Sequence, residues 1–216
     1  MAHKINKRMK SLKEVAKSIL LKPVHIFDVI QLKSRIRKTD GDLYIIIGAH
    51  NTNYENWLPT NIENLNLLDK ASFQNLFEEK KVSRFLAEHV FEHISYEDAL
   101  IALKNCNQYM KKGGTIRIAV PDGFHPNPDY INMVKPGGIG EGAHDHKLLY
   151  DYKKLGKVLE DAGFKAVPLE YYDEQGQFHF TEWDSKDGHV HRSKRYDKRF
   201  NEPLGYSSLI VDGIKI

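Results

Sequence analysis

The stretch Val82-Ser83-Arg84-Phe85-Leu86-Ala87, continued by Glu88-His89-Val90-Phe91-Glu92-His93-Ile94-Ser95, decides the fold. Val82 to Ala87 is an apolar run of strand length. Behind Ser95, the residues Tyr96-Glu97-Asp98-Ala99-Leu100 open a helical pattern, and a serine there suits a helix N-terminus. Two histidines and two carboxylates therefore stand where a strand ends. In open α/β sheets, ligands bind outside the carboxyl ends of the strands, so chemistry is expected here.

Outward from this stretch, strands and helices alternate. Upstream, Leu43-Tyr44-Ile45-Ile46-Ile47 is continuously apolar, as a strand buried on both faces of a parallel sheet must be. It ends at Gly48-Ala49-His50-Asn51, where small residues let a ligand approach the backbone. Trp57 to Asn61 and Leu65 to Leu68 read as two further short strands, and 71–80 as a helix. Downstream, the helix over 96–110 is expected to stop at Lys111-Lys112-Gly113-Gly114. Thr115 to Val120 is a strand ended by Pro121-Asp122-Gly123. Residues 121–147 hold 4 Pro, 5 Gly and 3 His and read as one long functional loop. A helix over 149–162, a strand over 164–172, a polar irregular stretch over 173–202 and a strand over 206–214 complete the chain. The pattern predicts an α/β, Rossmann-like fold: a mostly parallel central sheet, helices on both faces, and an antiparallel closing strand at the edge.

Ahead of this domain (39–216, with long loops 121–147 and 173–205), residues 1–38 read as a basic helical extension, with helices over 9–21 and 24–37. Residues 1–40 carry 11 Lys/Arg against 3 Asp/Glu, although the whole chain is only +3. A solvated helix face is the simplest account; a peripheral contact with an anionic membrane is the functional one. Nucleic acid is disfavoured, because no recognition motif accompanies the charges. The single Cys106 excludes an internal disulfide framework and fits a reducing compartment. With no run long enough to span a bilayer and no secretory pattern, the cytoplasm is the expected location.

Three passages carry a family resemblance: Ile45-Ile46-Ile47-Gly48-Ala49, Phe85 to His93, and Lys112-Gly113-Gly114-Thr115-Ile116-Arg117-Ile118-Ala119-Val120-Pro121-Asp122. Over 43–172 the chain resembles class I S-adenosylmethionine-dependent methyltransferases, and more narrowly small bacterial ones associated with cell-surface glycan genes. The resemblance implies a seven-stranded sheet and S-adenosylmethionine as cofactor. Gly48, Ala49 and His50 would face its methionine part, Asn61 its ribose, Leu68 and Asp69 its adenine, and Glu88 with His89 the floor. Methyl transfer to a hydroxyl of a small-molecule or glycan acceptor follows, with Asp122 or His125 as base and His89 beside them. His50 replaces the family's second glycine, and Asn61 its ribose-binding carboxylate. These departures also admit a noncatalytic protein that has lost the cofactor.

His89, Glu92 and His93 fall at i, i+3 and i+4, so on a helical turn they share one face. One reading is a metal-dependent hydrolase using His-x-x-Glu-His, with two histidine ligands and a glutamate base. A second is a methyltransferase with a divalent ion, zinc or manganese, on His89, Glu92, His93 and a loop histidine such as His125, His144 or His146. This resembles the Glu-x-x-Glu-His pattern of some 2′-O-methyltransferases. The third has these groups simply anchoring the loop by hydrogen bonds.

Overall fold

The computed structural model describes residues 28–216; the helix expected over 9–21 lies outside them. Helix α1 covers 28–38 and buries Leu32 and Ile36 in the main core. Seven strands follow: β1 (Tyr44–Ile47), β2 (Trp57–Pro59), β3 (Val82–Glu88), β4 (Met110–Pro121), β5 (Phe164–Tyr172), β6 (Phe178–Phe180) and β7 (Ser208–Lys215). Between them run α2 (Lys70–Phe77), α3 (Tyr96–Tyr109), α4 (Pro128–Val134) and α5 (Tyr152–Asp161).

The sheet order is β2-β1-β3-β4-β7-β5-β6. Strands β1 to β4 are parallel, and β7 runs antiparallel between β4 and β5. The closing strand is thus interior, not at the edge as the sequence suggested. Its residues explain this: Leu209 and Val211 face one core, Ile210 the other, and an edge strand would leave such a row unpaired. Because β2 lies on one side of β1 and β3 on the other, the connections diverge at the β1/β3 boundary. That divergence opens a crevice beyond the carboxyl ends of the two strands.

Alternation along each strand sends Ile45, Ile47, Phe85, Ala87, Ile116, Ile118 and Val120 to one face, where α1, α2, α3 and α5 cover them. The opposite face carries Ile46, Leu86, Ala119 and Ile210. No α-helix residue joins that cluster among the described residues, contrary to the helices expected on both faces; Trp183 and Val190, from the segment between β6 and β7, cover it instead. That segment is tied down by buried charges. Arg117 forms a two-pronged pair with Asp212, at 2.8 Å on each side, and also donates to the carbonyls of Asp184 and Gly188. Its guanidinium lies 4.7 Å from the centre of the Trp183 ring. Glu170 accepts from Trp183 Nε1 and from the Lys194 amide.

Helix α3 starts where expected, with Ser95 Oγ accepting from the Asp98 amide at 3.1 Å. It does not stop in a glycine turn. Met110 is already extended and paired with Val82, and the register shifts before Thr115 pairs with Arg84. Gly113, at φ +74°, therefore serves an irregularity within β4. Two other expectations are corrected. Leu65 to Leu68 is a turn ahead of α2, not a strand: the Asn61 carbonyl accepts from the Leu65 amide, the Asn66 side chain from the Leu68 amide and the Asn66 carbonyl from the Asp69 amide. The 121–147 segment contains α4, whose Asn127 cap and Pro128 start follow ordinary helix-initiation chemistry.

Candidate active site

Sequence places Gly48 directly after β1, and the fold needs a glycine there. Its φ is +61°, and a Cβ would fall 2.6 Å from Val90 Cγ2. The loop from 48 to 56 joins β1 to β2 with no helix, so its shape depends on its own hydrogen bonds. Ala49 donates its amide to the Thr60 carbonyl, and His50 donates its amide to Asn61 Oδ1 at 2.8 Å. Asn61 therefore straps the loop. Its carbonyl oxygen already takes one donor, and an amide lacks the charge of a carboxylate, so a bond it accepts from a ribose hydroxyl is a neutral one. His50 takes a left-handed backbone, φ +47°, and its ring is exposed at the rim of the site.

Three cavities meet at the end of β3, and His89 lines all of them. The first is polar, about 550 Å³, lined by Gly48, Ala49, His50, Tyr54, Glu88, His191 and Arg192 among others. The second is an apolar slot of about 390 Å³ formed by Gly48, Ile62, Leu65, Leu67, Leu68, Val90 and Ile94, with polar groups at its margin. The third, about 590 Å³, is bounded by His50, Glu92, His93, Met133, His146, Arg192, Arg199 and Tyr206.

Glu88 faces the polar cavity while its carboxylate accepts from the amides of His191 and Arg192 at 3.1 and 2.7 Å. It thereby holds the 191–192 backbone across from the glycine loop. Burial, helped by the charge of Glu88, pushes the Tyr54 phenol up to about 12, so it stays a neutral donor. Leu68 lines the apolar slot as expected. Asp69 does not line these cavities: its carboxylate caps α2 by accepting from the Ala71 amide at 2.9 Å.

The bases inferred from sequence are both engaged in holding the chain. Asp122 accepts from the amides of Phe124 and Tyr172 at 3.0 and 2.7 Å, and is buried. Burial pushes its carboxyl up to about 7 despite those two donors. His125 bonds the Gly205 carbonyl through Nε2 and the Asn127 amide through Nδ1, and stacks on Tyr130 with ring centres 3.9 Å apart. Neither has a free atom to offer a substrate.

His89 sits at φ +55°, with Nδ1 on Glu92 Oε1 at 2.8 Å and Nε2 on Ser208 Oγ at 3.1 Å. Both ring nitrogens are occupied, so it is not poised as a ligand or a base. The hydrolase reading fails on the same geometry. Its motif needs a helix, whereas here it spans a strand end and the 3-10 turn Phe91–His93, and two of its groups bond each other. Glu92 and His93 instead meet His146, with one ligand atom from each lying within 4.8 Å of the others. Burial works against the charge of Glu92, but the charge and hydrogen bond of His89 prevail and hold its carboxyl below the ordinary range.

Arg192 was legible only as one of several basic residues in a polar stretch. It lines both the first and third cavities, and among the described residues its guanidinium meets only Tyr206 Oη, at 3.4 Å. Val90, Ile62 and Leu65 were likewise missed, because what brings them together is the packing of the slot.

No family model matches the chain, and no curated protein does. Among solved structures, it is similar to a SAM-dependent methyltransferase from Thermotoga maritima at 13% identity, covering 94% of this chain and 96% of that one, with a TM-score of 0.47. A SAM-dependent methyltransferase from Archaeoglobus fulgidus is 16% identical over 88% of this chain and 93% of its own, with a TM-score of 0.43. LepI, in complex with SAM, is 12% identical over 88% of this chain, with a TM-score of 0.44; the chain spans only 41% of that protein. Such likenesses leave the chemistry to the site's own residues. By its strand order, with β7 antiparallel between β4 and β5 and a crevice outside β1 and β3, the chain has the Rossmann-like α/β fold expected from its sequence.

Proposed function

We propose that the chain is an S-adenosylmethionine-dependent methyltransferase acting on a hydroxyl of a small-molecule or glycan acceptor. The observation that carries this is the meeting of an apolar slot, a polar cleft and a third cavity at His89, beyond the ends of β1 and β3. A purine fits an apolar slot walled by Leu65, Leu68, Val90 and Ile94. The polar cleft offers the neutral Tyr54 hydroxyl and the Arg192 guanidinium, which suit an amino-acid head with a carboxylate. Gly48 lies between the two and brings backbone within reach of a ligand. Bound there, the cofactor supplies an electrophilic methyl group. The chain's own part is to place an acceptor hydroxyl in the third cavity, beside His93 and His146, and to exclude water from the junction at His89.

Thermal denaturation with S-adenosylmethionine tests the reading. Ligand at a hundredfold excess over its dissociation constant stabilises the native state by about 2.7 kcal/mol. Gly48→Ala should abolish that shift, since the added carbon has no room beside Val90. A second reading, a noncatalytic protein of the same fold, is favoured by the neutral Asn61 side chain, whose carbonyl already holds the His50 amide and carries no carboxylate charge for a ribose. Calorimetry showing no binding of millimolar cofactor to the wild-type protein would select it.

A further inference from the structure

We infer that Glu92, His93 and His146 form a binding site for one divalent transition-metal ion, of the zinc or manganese class, open to the third cavity. The fold brings the three together by backbone bonds. The amides of Lys147 and Leu148 donate to the Glu92 carbonyl at 2.7 and 3.2 Å, which sets His146 beside the Phe91–His93 turn. The two imidazole rings stand edge to face with centres 4.8 Å apart.

Each of these side chains would be useless as a ligand if its lone pair were already taken, and none of the three is. His146 gives its Nδ1 to the Val134 carbonyl at 2.7 Å. That bond makes Nδ1 the protonated nitrogen and leaves the Nε2 lone pair available. His93 Nδ1 lies 3.4 Å from Asp145 Oδ2, so a carboxylate stands beside that nitrogen at charge-contact distance, looser than the bond that holds His146. Metal-binding histidines are held this way, one nitrogen on the ion and the other on a carbonyl or carboxylate. Glu92 completes the set. Its Oε1 accepts from His89, while its Oε2 is buried and has no partner, on a side chain only 1% exposed. A buried carboxylate oxygen without a donor is costly to leave unsatisfied, and a cation removes that cost. Among the described residues no other trio of this kind occurs.

The span also fits. Two ligands at about 2.1 Å from one ion stand at most about 4.2 Å apart, so atoms within 4.8 Å close on it with small side-chain shifts. Two nitrogens and one oxygen select a borderline transition metal over calcium. Three protein ligands leave coordination positions open, as catalytic sites do. Met133, Arg192 and Tyr206 line the same cavity. His89 is a positioning residue: it orients Glu92 and binds no metal itself. Metal uptake stands on this geometry alone and does not depend on the methyltransferase reading.

The test uses the full, tag-free chain stripped with chelator and titrated without S-adenosylmethionine. Calorimetry with Zn²⁺ or Mn²⁺ should give one equivalent. His146→Ala, on a loop that leaves the core intact, and His93→Ala should each weaken binding at least a hundredfold. His89→Ala should weaken it by about tenfold to a hundredfold, as loss of an orienting partner does, and not abolish it. Co²⁺ substitution supplies a second readout, since imidazole ligation gives visible absorption that His146→Ala should lose. Three results overturn the site: no stoichiometric uptake by the wild type, uptake unchanged in both His93→Ala and His146→Ala, or calcium bound as tightly as zinc.

Discussion

At single residues, the structure separates groups that act from groups that hold. Asp122 is the clearest holder: it joins the end of β4 to β5 by accepting the Tyr172 amide and fixes its own turn by accepting the Phe124 amide. Its folded carboxyl is raised to about 7 by burial, above the ordinary 3.8. Between those values the folded state binds more protons than the unfolded one, so its contribution to stability falls as pH rises from about 4 to 7 and is constant below that window. Asp122→Asn should flatten this slope. Because the amide offers one acceptor for two amides, it should also lower stability by about 1–3 kcal/mol at acidic pH. Urea unfolding across pH 4–8 reads both effects; an unchanged slope would remove Asp122 as its source. His50 makes a different case. Its left-handed backbone costs about 1–2 kcal/mol that a glycine avoids, offset by about 0.4–1 kcal/mol of unfolded-chain entropy. His50→Gly should therefore leave stability unchanged or raise it by about 1 kcal/mol, and open the rim shared by the first and third cavities. A fall in melting temperature would mean that the ring makes contacts that matter.

Among the elements, β4 shows what a sequence reveals and what it conceals. Thr115 to Val120 was legible as a strand because its apolar residues lie on both faces. Arg117 in its middle passed as one more strand residue, because its partners, Asp212 and the carbonyls of Asp184 and Gly188, are 67 to 95 residues away in sequence. Composition made 173–202 look irregular throughout, and it hid both the short strand β6 (Phe178–Phe180), which pairs with β5, and the segment's role as cover of a sheet face. The edge position expected for the last strand failed for the same reason: hydrophobic pattern fixes burial, while the neighbour on each side is set by long-range pairing. Arg117→Ala should cost about 3–5 kcal/mol, since it leaves Asp212 charged and unpaired in the interior. It should also free the Trp183–Val190 segment, seen as new proteolytic cleavage near Ser185–Asp187 under native conditions. Paired replacement by Arg117→Met and Asp212→Leu should recover part of the global stability and none of the segment's protection. Full protection in the double variant would show that apolar packing alone secures the segment.

Taken whole, the molecule assembles its site from three distant stretches: the loop after β1, the end of β3 with its 3-10 turn, and residues 191–192. The first two were legible, since glycine after an apolar strand and a carboxylate-histidine cluster at a strand end are local signals. The third was not, because nothing in His191-Arg192 distinguishes it from other polar loop residues; only the Glu88 carboxylate, accepting both amides, fixes it there. This gives Glu88 a structural consequence that differs from a direct contact with a ligand. Glu88→Ala removes two charge-assisted bonds, each worth about 1.5–3 kcal/mol, and lets the 191–192 strap relax away from Gly48. Binding of S-adenosylmethionine should weaken at least tenfold, while uptake of Zn²⁺ at Glu92, His93 and His146 should stay within a factor of two or three, because that cluster is secured separately by the Lys147 and Leu148 amides. Parallel calorimetric titrations of one protein preparation measure the two affinities. Equal loss of both would mean that the end of β3 is a single cooperative unit, and loss of neither would mean that Arg192 is held by other contacts.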